Sequence, residues 1–182
     1  MFDVFGLSGL LNVRAGKLEL QVYSNEVSED YSFSFSESVK KNNIGHKVEF
    51  YNVDTREFII KIISTMKVDH ICMSDQTQSM NYLDCLSHAF LQKSNITYSP
   101  GELPMTYLYG MWMEDPIEEK SKILRNVQHF LMRNMEKNLE GQVFLVEKLF
   151  NFGYIHCLQF RLPDEIATRE DDIEFYTKKI HL

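Results

Sequence analysis

The sequence predicts an α+β fold, a mostly antiparallel sheet packed with about three to four helices. Three observations lead there. Segments of period-two hydrophobicity come in pairs. Helical segments fall between the pairs without a regular β-α-β alternation. Hydrophobic residues make up 44% and aromatics 13% of 182 residues, enough to bury a core without disulfides or metal. No repeat, low-complexity tract or linker divides the chain, so residues 1–182 are expected to form a single globular domain.

The elements follow in order. Leu18, Leu20 and Val22 alternate with Glu19, Gln21 and Tyr23, the pattern of a strand with one wet face. Asn25 to Asp30 is a polar, acidic loop. Tyr31, Phe33 and Phe35 alternate with Ser32, Ser34 and Ser36, and read as a second strand. Lys40 to Gly45 is a turn, and Lys47 to Asn52 a third strand. Asp54, with Glu57 three residues on, caps a helix whose Phe58, Ile59, Ile60, Ile62, Ile63 and Met66 mark it as central. Val68 to Met73 is a short strand. Asp75, with Gln78, opens a helix striped by Met80, Leu83, Leu86 and Phe90.

Asn95 to Pro104 is a loop, and Met105 to Met113 a buried strand. Asp115, Pro116 and Glu118 start a helix that keeps its apolar spacing from Ile117 to Leu139, with Gly141 as its stop. Val143 to Phe150 and Tyr154 to Leu162 form a hairpin about Asn151-Phe152-Gly153. Pro163 ends it. A last helix opens at Asp171 or Asp172 and reaches Lys178 and Lys179, whose charges suit its C-terminus.

Charge narrows the function. The net charge is −7, and Asp164, Glu165, Glu170, Asp171, Asp172 and Glu174 face only Arg169. Such a surface repels nucleic acid and anionic membranes and attracts basic proteins. The 19 basic residues are outnumbered by 26 acidic ones and do not cluster, so direct nucleic-acid binding is not expected. No Gly-x-Gly-x-x-Gly, P-loop, Gly-x-Ser-x-Gly or His-Glu-x-x-His pattern occurs, and no cofactor is indicated. The first residues have no basic region and no apolar run is long enough to span a membrane. Three cysteines without a framework point to a reducing, cytoplasmic setting.

Two polar constellations are candidate centres of chemistry. His70 and Cys72 share a strand face, and Cys85 and His88 a helix face; together they have the ligand types of tetrahedral zinc. Their spacing is not a usual zinc spacing, and buried cysteines are ordinary core residues, so no metal is assigned. A cysteine nucleophile needs a nearby imidazole; Cys85 with His88, or Cys157 with His156, offer the elements, but His156 and Cys157, as strand neighbours, point to opposite faces, and no family-type context surrounds any of the three cysteines. Tyr107, Tyr109, Met111, Trp112 and Met113 read first as core and second as the contact of an oligomeric assembly.

The leading expectation is therefore an acidic binding module without catalysis, of the immunity or antitoxin type, that occludes a basic nuclease toxin. Asp164, Glu165, Asp171, Asp172 and Glu174 would supply charge, with Phe175 and Tyr176 as apolar anchors. The alternative is an enzyme of another kind with His70, Cys72, Cys85 and His88 as its polar centre.

Overall fold

A computed structural model describes residues 1–91, 98–131, 138–149 and 153–168. The chain runs β1 (Phe2–Asp3), α1 (Leu10–Lys17), β2 (Val22–Asn25), α2 (Glu29–Lys41), β3 (Val48–Tyr51), α3 (Thr55–Thr65) and β4 (His70–Met73). A 3-10 turn at Ser79–Tyr82 then leads into α4 (Leu83–Leu91). There follow β5 (Met105–Trp112), α5 (Lys120–Leu131), β6 (Gly141–Leu149), β7 (Gly153–Arg161) and a short α6 (Glu165–Thr168).

The strands form one seven-stranded sheet of order β3-β2-β1-β4-β5-β7-β6. β1 to β5 pair in parallel, and β7 runs antiparallel between β5 and β6. This is a doubly wound, mostly parallel α/β sheet with an antiparallel edge. The expected α+β fold with a mostly antiparallel sheet is thereby corrected. β1 to β4 are two to four residues long, too short for a period-two signal to outweigh that of the long C-terminal hairpin.

Side chains of alternating strand residues go to opposite faces. Val22 and Val48 pack with Ala15, Phe35 and Ile44 under α1 and α2. Tyr23 joins Phe2 and Ile71 on the other face, where Phe58, Ile59, Ile62 and Ile63 of α3, Leu86 of α4 and Val127 of α5 close the larger core.

Several elements differ from expectation. The Tyr31–Phe35 segment belongs to α2, not to a strand. Tyr31 and Phe33 are 50% and 71% exposed and only Phe35 is buried. Glu29 and Asp30 in the first turn and Lys40 and Lys41 in the last match the helix dipole. The serines return their hydroxyls to the helix: Ser32 Oγ donates to the Ser28 carbonyl at 2.8 Å, and Ser38 Oγ to that of Ser34 at 2.9 Å. Leu18 and Leu20 precede β2 instead of joining it, with Glu19 in a left-handed conformation (φ 61°). Asp115 accepts the Ile117 N–H at 2.9 Å in a turn, and α5 starts only at Lys120. Gly141 opens β6: a Cβ there would sit 2.9 Å from the Gln159 carbonyl oxygen.

The Asp54 cap, β3, β4, β5 and the β6–β7 hairpin lie where the sequence put them. Asp54 Oδ1 accepts the N–H groups of Arg56 at 2.8 Å and Glu57 at 3.2 Å. The helix expected from Asp171 or Asp172 lies outside the described residues.

Candidate functional site at the strand-order reversal

In a doubly wound sheet the strand order reverses between two neighbouring parallel strands, and the crevice beyond their carboxyl ends receives ligands. Here that point lies between β1 and β4. Beyond β1, residues 4–9 form a tight loop. Val4 N–H donates to the Cys72 carbonyl at 2.9 Å and Gly6 N–H to that of Asn25 at 2.7 Å, which tie the loop to both neighbouring strands. Ser74 Oγ donates to the Phe5 carbonyl at 2.8 Å and closes the base of the crevice. Gly6 is demanded by close approach, since a Cβ would sit 2.8 Å from Ser24 Oγ. Gly9, at φ 79°, sits immediately before α1.

Glu26 follows β2 directly and lies 20 residues beyond Gly6. Its side chain is held from both sides: Leu7 N–H donates to Oε2 and Ser28 N–H to Oε1, each at 2.8 Å. A carboxylate offers about four acceptor positions, so two hydrogen bonds leave capacity on each oxygen. An acid at this distance from the first loop glycine is the group that takes ribose hydroxyls in dinucleotide-binding folds. Asn25 bridges to the loop after β3, donating to the Val53 carbonyl and accepting Val53 N–H, both at 3.1 Å. Val27 and Val53, 54% and 38% exposed, are apolar groups presented beside Glu26. On the other side Phe5 packs edge-on against Tyr82, with Arg56 over the Tyr82 ring.

Arg56 is held by Asp84 at 3.2 Å, by the Asn81 carbonyl at 3.0 Å and by Cys85 Sγ at 2.6 Å. Asp3 ends β1 beneath the loop, fully buried, and burial pushes its carboxyl up to about 7 against the opposing pull of hydrogen bonds from Asn12, Phe5 N–H and Ser24. Glu26, Asp3 and the residue 4–9 loop are not legible through a Gly-x-Gly-x-x-Gly pattern, which this loop lacks. The available signal was Gly6 and Gly9 ahead of a helix, with an acid 20 residues beyond.

The other candidate residues fall elsewhere. His70 and Cys72 line an apolar cavity of about 290 Å³ with Met1, Leu11, Leu20, Tyr107 and Tyr109. His70 Nδ1 lies 3.3 Å from the Tyr107 hydroxyl. Cys85 sits in the core on the other face of the sheet, so the four His and Cys residues do not converge. Among the described residues no three His, Cys, Asp or Glu side chains could hold a metal ion. Burial pushes the Cys85 thiol up to about 12 and that of Cys157 to about 11, and Cys72 higher still.

In the C-terminal acidic stretch, Asp164 accepts the Gly101 N–H at 2.9 and 3.1 Å, and Glu165 opens α6. Asp171, Asp172, Glu174, Phe175 and Tyr176 lie outside the described residues.

No protein-family model matches the chain. Curated relatives do, two of them over most of the chain. The chain is 22% identical over 180 residues to a tRNA (guanine(37)-N(1))-methyltransferase of Xenopus tropicalis, covering 91% of the chain and 35% of the relative. It is 23% identical over 155 residues to the enzyme of that name from Phytophthora infestans, covering 81% of the chain and 34% of the relative. The chain thus spans about a third of the length of these relatives.

Among solved structures it is similar to Trm5b from Pyrococcus abyssi, with a TM-score of 0.66 and 18% identity, over 89% of this chain and 43% of that one. TYW2 of M. jannaschii, solved in complex with AdoMet, gives 0.65 and 14% identity, over 88% and 68%. A complex of aTrm5 with tRNALeu gives 0.59 and 13%, over 88% and 40%. These likenesses give the fold.

They also overturn two expectations. The immunity or antitoxin reading fails, because the matching relatives are tRNA methyltransferases and the fold is shared with Trm5 and TYW2; the enzyme alternative agrees better, though not through its His and Cys centre. The pairing of a basic nuclease toxin as partner with no nucleic-acid contact fails with it, since the matching curated relatives are named for action on tRNA. The overall acidic charge misled here: a net charge is a sum over the surface and does not describe one crevice. No helix of the described residues is long and apolar enough to cross a membrane.

Proposed function

We propose that the crevice above β1 and β4 binds an adenosine-bearing methyl donor, S-adenosylmethionine, and that the chain is the donor-binding part of a methyltransferase acting on guanine in tRNA. The observation that carries this reading is Glu26, set 20 residues beyond Gly6 at the end of β2, beside the strand-order reversal. Adenosine fits the donor set. Glu26 keeps acceptor capacity for the two ribose hydroxyls, and Val27 and Val53 offer apolar surface to a base. The relatives' names supply the substrate class, and a cytoplasmic location goes with a tRNA substrate.

When bound, S-adenosylmethionine supplies an electrophilic methyl group. The chain's own residues bind and orient. Leu7 and Ser28 N–H groups fix the Glu26 carboxylate before any ligand arrives, so little ordering is needed on binding. The residue 4–9 loop, tied to Cys72 and Asn25, holds the ligand's neighbouring backbone rigid. Phe5 and Tyr82 form an aromatic edge on the far side.

Isothermal titration with S-adenosylmethionine tests the reading. Saturable one-to-one binding that is lost in Glu26→Ala, in a variant that still melts cooperatively, is expected. Absence of binding by the wild-type chain, or equal affinity of the variant, would overturn it. Methyl incorporation into a tRNA transcript tests the substrate class separately.

A further inference from the structure

Asp3 of β1 and Asn12 of α1 are both buried, at 1% and 0% exposure. Asn12 Nδ2–H donates to Asp3 Oδ2 at 2.7 Å. Asp3 Oδ1 and Asn12 Oδ1 are both sealed from solvent and neither has a donor. Two enclosed acceptors without a donor are costly. They are also the remaining oxygens of two planar groups already joined by one hydrogen bond. A single proton placed between them satisfies both.

We propose that Asp3 carries that proton on the acid side of neutrality and there forms a cyclic carboxylic acid–amide pair with Asn12. Asp3 Oδ1–H donates to Asn12 Oδ1 while Asn12 Nδ2–H donates to Asp3 Oδ2. The surroundings favour the neutral acid. From β2 it meets the Ser24 hydroxyl at 3.5 Å. From β4 it faces the Cys72 thiol, which burial keeps protonated. From the loop it receives Phe5 N–H, and the nearby Glu26 charge disfavours a second carboxylate. Among the described residues no lysine or arginine forms an ion pair with Asp3. Burial moves its titration to about 7.

The pair clamps the start of the crevice loop to α1, because Asp3 also holds Phe5 N–H and the loop presents Leu7 N–H to Glu26. Asp3 and Asn12 are thus positioning residues for the crevice. Loss of the proton strands Asn12 Oδ1 and leaves a buried charge, so the clamp weakens as pH rises.

Carbon-13 NMR of the side-chain carboxyls of the whole chain tests this. The Asp3 resonance is expected to titrate with a midpoint near 7. A midpoint near the ordinary 3.8 would overturn the proposal. Asp3→Asn supplies a second test, since its amide donates to Asn12 without a titrating proton. The wild type is expected to lose Tm relative to Asp3→Asn as pH rises from about 4 to about 7, and to run parallel above that. Curves parallel across the whole range would contradict the pair. Neither measurement needs a ligand, so failure of the adenosine reading leaves both intact.

Discussion

Leu7 and Glu26 fix each other at the mouth of the crevice: Leu7 N–H donates to Glu26 Oε2 at 2.8 Å from a left-handed backbone, φ 47°. That conformation costs a residue with a Cβ roughly 1–2 kcal/mol. The hydrogen bond to a charged acceptor, worth about 1.5–3 kcal/mol, offsets it. Strain of this kind gathers at ligand-binding positions, and here it aims an N–H at the carboxylate assigned to the ribose.

Removing that carboxylate should therefore cost stability as well as binding. Glu26→Ala leaves the Leu7 and Ser28 N–H groups without their acceptor and is expected to lose about 2–3 kcal/mol in urea unfolding. Glu26→Gln keeps one acceptor oxygen and is expected to lose about half as much. Equal stability of wild type and Glu26→Ala would show that the loop is not held through this residue.

Arg56 and Asp84 form an unequal pair, with side-chain exposures of 33% and 9%. Arg56→Ala removes the cation from a nearly buried carboxylate and is expected to cost about 3 kcal/mol. Asp84→Ala leaves an arginine that can turn toward solvent, so its cost should be smaller. A double-mutant cycle by chemical denaturation measures both, and a reversed order would refute this account of the pair.

The three cysteines should be inert. All are buried, with their thiols pushed well above the ordinary range. Iodoacetamide at pH 8 is expected to leave the native chain unmodified by mass spectrometry and to label all three in denaturant. Rapid labelling of one native cysteine would reopen a nucleophilic role.

His156 is buried beside Gly110 and the Trp112 ring, and burial lowers the pH at which it takes a proton. A depressed histidine binds fewer protons folded than unfolded, so its share of stability is present above its ordinary value of 6.5 and lost as pH falls below it. His156→Phe is expected to flatten the fall in Tm between pH 7 and 5. An unchanged slope would place the acid sensitivity elsewhere.

Legibility in the sequence followed the size of each local signal. The Asp54 cap and the β6–β7 hairpin were readable because a capping side chain and two nine-residue strands each specify their own geometry. β1 was not, because two residues carry no period. α2 was masked by serines alternating with aromatics, although its end charges announced a helix. Glu26 was visible only as one of several acids in a loop. Its role comes from the parallel pairing of β1 with β2, a non-local contact that no short window contains.

An amide NMR titration of the full chain with adenosine tests ligand binding in the crevice above β1 and β4. Saturable shifts are expected at residues 5–9, at Glu26 to Ser28 and at Val53 and Asp54. Shifts confined to the His70 and Tyr107 cavity, or none at millimolar adenosine, would contradict it.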